Sequence, residues 1–219
     1  MNFPLDETHD PERTSWVASA GGHAEFPLQN LPFGVFSIAG GAPRGGVAIG
    51  DCVLDIKAAL EAGLFSGEAE VAAAAAAGPT LNPLMALGSG PRRALRRRLF
   101  ALLDAGGADR TKVEKLAGVL LHEAAHCSMH LPAKIGAYTD FYAGIHHAYN
   151  GGVRRGANPP LAPNYKYVPV AYHSRASSVR VSGHPVRRPD GQRVLGTPNV
   201  PEFGPTRKLD FELELGNWV

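Results

Sequence analysis

Gly34-Val35-Phe36-Ser37-Ile38, Gly46-Val47-Ala48-Ile49-Gly50 and Asp51-Cys52-Val53-Leu54-Asp55-Ile56 decide the fold class. Each is a short run rich in β-branched or aromatic residues, bounded by glycine. A Gly/Pro/Arg turn separates the first two, and the Gly50-Asp51 turn joins the last two as a hairpin. From Ile56 the period lengthens: Ile56, Leu60 and Leu64 recur four apart, which predicts a helix. Strands followed by helices predict an α+β protein, read here as mostly β.

Working outward, the residues before about 30 are irregular, with Pro4, Pro11 and the Gly21-Gly22 pair. Downstream, Gly78-Pro79-Thr80 breaks an alanine-rich segment, and Asn82-Pro83 begins a short helix. Pro91 sits in the first turn of another helix running to about Leu103, with Leu95, Leu99 and Leu102 as its apolar stripe. Residues 1–118 therefore read as a small β-rich N-terminal domain with attached helices, and residues 119–219 as a second domain. From Leu131 onward Gly and Pro punctuate the chain. Tyr165–Val170, Ser178–Ser182 and Leu209–Leu215 read as strands.

The chain of 219 residues is 44% hydrophobic and 19% charged, the balance of a soluble globular protein. A net charge of +2 gives no basis for binding nucleic acid or an anionic membrane. The run Arg92, Arg93, Arg96, Arg97 and Arg98 reads as a solvated helix face. Two cysteines, Cys52 and Cys127, form no CxxC pair and suit a reducing cytoplasm. The N-terminus lacks the basic start and apolar core of a signal peptide, and the alanine run Ala72–Ala77 is too short to span a bilayer.

Three stretches could carry chemistry. His122-Glu123-Ala124-Ala125-His126 matches the HExxH pattern, which binds zinc when a helix places both histidines on one face. Pro132 follows closely, no downstream glutamate or third histidine shows helical spacing with the pair, and the preceding helical periodicity is only moderate, so a zinc site is the weaker reading of this match. Tyr138-Thr139-Asp140-Phe141-Tyr142, followed by His146-His147, gathers a carboxylate, a phenol and imidazoles, a plausible acid–base cluster. Tyr172-His173-Ser174-Arg175 lacks the Gly-x-Ser-x-Gly elbow of a serine nucleophile and reads as a turn. In addition, Glu212 and Glu214 would share one face of a strand, where two like charges repel unless a cation or donors lie between them.

Taken in order, Phe26-Pro27-Leu28-Gln29-Asn30-Leu31-Pro32-Phe33-Gly34-Val35-Phe36-Ser37, Val47–Asp51, Thr80-Leu81-Asn82 and Met129-His130-Leu131-Pro132-Ala133 form the first half of a longer pattern. Tyr138-Thr139-Asp140-Phe141-Tyr142, His147-Ala148, Pro163-Asn164-Tyr165-Lys166, Tyr172-His173, Arg175–Ser178 and Leu209–Glu214 continue it. The chain resembles the fumarylacetoacetase family over nearly its whole length, and over about the N-terminal half of the family's length. The resemblance implies a small SH3-like β-barrel domain followed by an incomplete mixed β-roll catalytic domain. It implies hydrolysis of the carbon–carbon bond of 4-fumarylacetoacetate, giving fumarate and acetoacetate in tyrosine and phenylalanine degradation.

By the same resemblance, Asp140, Glu212 and Glu214 match metal ligands, His147 the histidine that activates water, and Tyr142 and Arg155 residues that hold substrate. Tyr172 matches another tyrosine of the site. The implied cofactor is Ca²⁺, with Mg²⁺ an alternative; the implied partners are a β-diketo acid and a second copy of the chain, in the cytoplasm. Ser174 stands where the family usually has glycine, and Ala137 where it usually has aspartate. The family's fourth carboxylate ligand and the histidine's glutamate partner would lie past Val219, so a fragment inactive by itself is expected. Two other readings stay open: a non-catalytic metal-binding module, and another C–C hydrolase of the same superfamily.

Overall fold

The computed structural model describes residues 5–194 and 200–219. These fall into two compact units: residues 5–132 with 181–194 and 200–219, and residues 133–180.

In the first unit, β1 (Phe33–Ile38), β2 (Arg44–Ile49) and β3 (Cys52–Asp55) form the antiparallel meander expected from the sequence. The β2–β3 turn needs glycine: Gly50 has φ 54°, and a Cβ there would lie 2.4 Å from Ser19 Oγ and 2.5 Å from the Ala20 nitrogen. Six helices follow: α1 (Ile56–Glu61), α2 (Gly67–Ala76), α3 (Asn82–Met85), α4 (Ser89–Leu103), α5 (Arg110–Lys115) and α6 (Ala117–Leu120). Asp55 caps α1, its carboxylate accepting from the Ala58 N–H at 3.0 Å.

The chain then re-enters the sheet as β4 (Leu121–Glu123) and β5 (Cys127–His130), pairing with β3 and β1. The sheet order is β4-β3-β2-β1-β5, so its two edge strands are consecutive in sequence. A flat five-stranded sheet separates its edges by about 19 Å. The four residue steps from Glu123 to Cys127 span at most roughly 14 Å, and less through the tight turn Ala124–His126. The sheet must therefore curl, and it forms a half-barrel. Residues on both sides of position 118 belong to it.

Each face of the curled sheet has its own task. Val35, Val47, Ile49 and Leu54 point to one side and join Leu95, Leu99, Leu102 and Leu103 of α4 in the main core. Ala69, Ala72, Ala73 and Ala76 make the small buried face of α2, a helix that packs chiefly on α4. On the other side of the sheet, Phe36 is fully buried. The Arg44 guanidinium lies 4.8 Å from its ring centroid and donates from Nε to Asp55 Oδ2 at 2.6 Å. His122 Nε2 lies 3.6 Å from the same carboxylate oxygen.

The arginine run is not a uniformly solvated face. Arg96 donates to Thr8 Oγ1 at 3.0 Å and to the Gln29 carbonyl at 2.6 Å, and Arg98 donates to the Leu64 carbonyl at 2.7 Å and to Asp109 at 2.6 Å. Arg97 pairs with Asp6 at 3.1 Å. These side chains tie the irregular N-terminal segment and two loops to α4. Asp6 itself is held at a pKa of about 2, first by the Thr8 hydroxyl it accepts from, then by the Thr8 N–H and by Arg97. Arg13 pairs with the buried Asp104 nearby.

In the second unit, β6 (Thr139–Phe141) and β7 (Ala171–His173) form an antiparallel pair, with helix α7 (Ile145–Arg154) between them in sequence. Past this unit, β8 (Asp190–Val194) pairs with β9 (Pro201–Pro205).

Helix, not strand, supplies the larger share of the described regular structure, which corrects the expectation of a mostly β chain. Neither Tyr165–Val170 nor Ser178–Ser182 forms a strand; the first is broken by turns and Pro169, the second begins with a tight turn at Ala176–Ser178. Leu209–Leu215 has the alternation of a strand but no ladder partner among the described residues, and Phe211, Leu213 and Leu215 are 88–96% exposed. Alternation places side chains; only backbone pairing makes a sheet.

Candidate active site

The HExxH match falls across a strand end and a tight turn, so the helix that would align its histidines does not form. His122 sits beside Phe36, with ring centroids 5.8 Å apart, while exposed His126 pairs with Glu123 at 3.2 Å. Cys52 and Cys127 are free, and burial pushes both thiols up, away from the reactive thiolate.

The acid–base cluster lies in residues 133–180. Strand β6 carries Asp140, and the chain turns at Gly144 into α7, which carries His147. Local propensity does not announce this helix, because Asn150, Gly151 and Gly152 are poor helix formers. A close approach explains the glycine: a Cβ on the buried Gly152 would lie 1.9 Å from the Pro160 carbonyl oxygen. The loop after α7 thus folds back onto the helix at this position, and the Ala157 N–H donates to the Gly152 carbonyl at 3.0 Å.

Tyr142 and His147 meet edge to face, with centroids 5.4 Å apart and planes at 83°. Arg155, at the end of α7, approaches the same spot. A Cβ built on Gly151 would lie 3.1 Å from Tyr142 Oη and 3.3 Å from Arg155 Nη1. Three of the residues singled out in the sequence are therefore gathered on one small surface. Asp140 and Tyr172 are directly opposed in the β6–β7 ladder, and the Tyr172 hydroxyl donates to Asp140 Oδ2 at 2.8 Å. That bond holds the Tyr172 phenol above its ordinary pKa.

Glu212 and Glu214 belong to the other unit and are exposed. Among the described residues, no three His, Cys, Asp or Glu side chains are grouped closely enough to hold a metal ion. The donor chemistry of Asp140, Glu212 and Glu214 nonetheless suits a hard cation, since all three are carboxylates. Sequence reasoning missed Tyr165, whose hydroxyl donates to the Tyr142 carbonyl at 2.9 Å. The aromatic residue beside Pro163-Asn164 was the available signal, but nothing local says which strand it reaches.

The fold and this cluster define a mixed α/β protein that presents a phenol, an imidazole and a guanidinium together beside a carboxylate-bearing strand. Residues 29–132 match the family model described as fumarylacetoacetase N-terminal. Over 201 residues the chain is 44% identical to a fumarylacetoacetase of Bos taurus, an alignment covering 90% of this chain and 47% of that protein. Fumarylacetoacetases of Caenorhabditis elegans and Homo sapiens are 44% and 43% identical, each over 90% of this chain and 47% of their own length. The chain is similar to the fumarylacetoacetase family across about 90% of its own length. It spans about half the length of the curated relatives it matches.

Proposed function

We propose that the protein carrying this chain hydrolyses the carbon–carbon bond of a β-diketo acid, 4-fumarylacetoacetate, to fumarate and acetoacetate. The observation that carries this reading is the grouping of Tyr142, His147 and Arg155 on one surface of α7 and β6, in a chain whose relatives bear the name fumarylacetoacetase. His147 takes a proton from the attacking water, because an imidazole exchanges protons near neutral pH. Arg155 grips a substrate carboxylate through its fork of donors. Tyr142 offers a hydroxyl to a substrate oxygen and keeps the imidazole ring oriented by its edge contact.

Asp140, Glu212 and Glu214 would hold a divalent cation, Ca²⁺ or Mg²⁺. When bound, such a cation supplies Lewis-acid polarisation of a dicarbonyl. Residues 1–118, joined in the sheet by β4 and β5, are read as the family's small SH3-like barrel domain, and the remainder of residues 119–219 as the start of its catalytic β-roll. A homodimer in the cytoplasm completes the reading; among the described residues no helix is long and apolar enough to cross a membrane.

The test is fumarylacetoacetate hydrolysis by the whole protein that carries this chain, followed as loss of the diketone's ultraviolet absorbance. Turnover that falls by at least roughly a hundredfold in His147→Ala supports the assignment. Turnover unchanged in His147→Ala sinks the proposed role of His147, and no turnover by the wild-type protein sinks the reaction.

A further inference from the structure

Tyr142 is held from one side by a single segment, residues 165–170. Its N–H donates to the Val170 carbonyl at 2.9 Å, and its own carbonyl accepts from the Tyr165 hydroxyl, also at 2.9 Å. Tyr142 lies just past the end of β6, where the ladder with β7 has stopped at Phe141↔Ala171. A residue beyond a ladder would normally satisfy its backbone groups with water. Here both are taken up by protein.

The side chains repeat the arrangement. The Tyr165 and Tyr142 rings meet edge to face with centroids 6.1 Å apart and planes at 85°; the Tyr142 and His147 rings do the same at 5.4 Å and 83°. Three rings thus stand in series, each perpendicular to the next, the geometry that aromatic quadrupoles favour. Tyr165 is only partly exposed, and its segment is anchored by its own turns: Tyr165 N–H to the Ala162 carbonyl at 3.0 Å, and Tyr167 N–H to the Asn164 carbonyl at 2.9 Å. The preceding loop is seated on α7 by Pro160 against Gly152. The helix that carries His147 therefore also seats the loop leading to Tyr165.

We propose that Tyr165 is a positioning residue for this site. It fixes the backbone and ring of Tyr142, and Tyr142 in turn fixes the imidazole plane of His147. The inference rests on the functional reading above for its consequence in catalysis, but its geometric content stands apart from it. Tyr165 meets Tyr142, and Tyr142 meets His147, so loss of Tyr165 acts on kcat through ring placement. Misplacement of a reacting group by about 1 Å costs up to roughly a hundredfold in rate.

Two measurements test it. In the 219-residue chain, the His147 imidazole C–H resonances are identified by their loss in His147→Gln. The Tyr142 ring, edge to face with the imidazole, imposes ring-current shifts on them. In Tyr165→Ala these resonances are expected to move to the positions they take in Tyr142→Ala, while the His130 resonances stay in place. Tyr165→Phe, which keeps the ring and loses only the hydroxyl, should move them part of the way. His147 resonances that stay put in Tyr165→Ala, yet move in Tyr142→Ala, would overturn the proposal. So would loss of the His130 pattern in Tyr165→Phe and Tyr165→Ala alike, which would mark a general structural role.

In the whole protein, Tyr165→Ala is expected to lower kcat by roughly tenfold with little change in KM, and Tyr165→Phe by less. A rise in KM with kcat unchanged would instead make Tyr165 a substrate-binding residue and refute positioning. If the wild-type protein has no such activity, the functional reading fails, and the resonance shifts still decide the role of Tyr165.

Discussion

Residues 33–130 and residues 209–219 are both rich in apolar side chains, yet they treat them in opposite ways. In the first region Val47, Leu54, Leu99 and Leu102 are fully buried between a curled sheet and its helices. In the second, Phe211, Leu213 and Leu215 are nearly fully exposed, and Trp218 is 51% exposed. Composition does not separate the two. The difference is that β1 to β5 pair with one another in a ladder, whereas residues 209–219 join no ladder among the described residues. Apolar patterning becomes a core only where backbone pairing brings a second layer over it.

The comparison can be broken most directly in the core. Leu99→Ala should destabilise the chain by about 2–5 kcal/mol in urea unfolding, because the cavity left on α4 is closed on all sides. A cost below about 1 kcal/mol would mean that the helix–sheet core is not the main source of stability. Asp55→Asn comes next. It removes the charge partner of Arg44 while keeping an acceptor for the α1 cap, and a cost of about 3 kcal/mol is expected, the low end for a broken buried pair because Arg44 keeps some contact with water. Equal stability of Asp55→Asn and wild type would show the pair to be ornamental to the sheet's second face.

A smaller, pH-dependent effect is expected at the N-terminal clasp. The Asp6 pKa is depressed to about 2 from its ordinary 3.8, so its contribution is full above the ordinary value and is lost as pH falls through the folded one. Asp6→Asn should therefore lose less stability than wild type between about pH 5 and pH 2. Parallel pH curves for the two proteins would rule out a folded-state role for Asp6. The smallest effect belongs to the exposed segment: Leu213→Ala should change stability by no more than about 0.5 kcal/mol. A larger loss in the 219-residue chain would mean that Leu213 has a packing partner there.

Much of the fold was legible. The hairpins of β1–β3, helix α1 after Asp55 and the Leu95/Leu99/Leu102 stripe of α4 follow from local periodicity and turn chemistry. The candidate site was legible as residue types: Tyr142, His147 and Arg155 are the residues that meet. What the sequence obscured was α7, since His, Tyr, Asn and two glycines carry no helical signal, and Gly152 is there for Pro160, a contact made eight residues away. The purposes of Arg96 and Arg98 were hidden for the same reason, because their partners Thr8, Gln29 and Leu64 are distant in sequence.

By itself, the sequence determined the early strands, the helices with clear stripes, the family resemblance and the residue types that can move a proton or grip a carboxylate. Each of these depends on neighbours within a few positions or on an ordered set of motifs. Only the tertiary structure decided that residues 121–130 close the half-barrel, that the HExxH histidines part company, that the arginine run is a clamp, and that Tyr165 stands behind Tyr142. Those outcomes are contacts between distant segments, and their free energy depends on which surfaces meet, information that no local period carries.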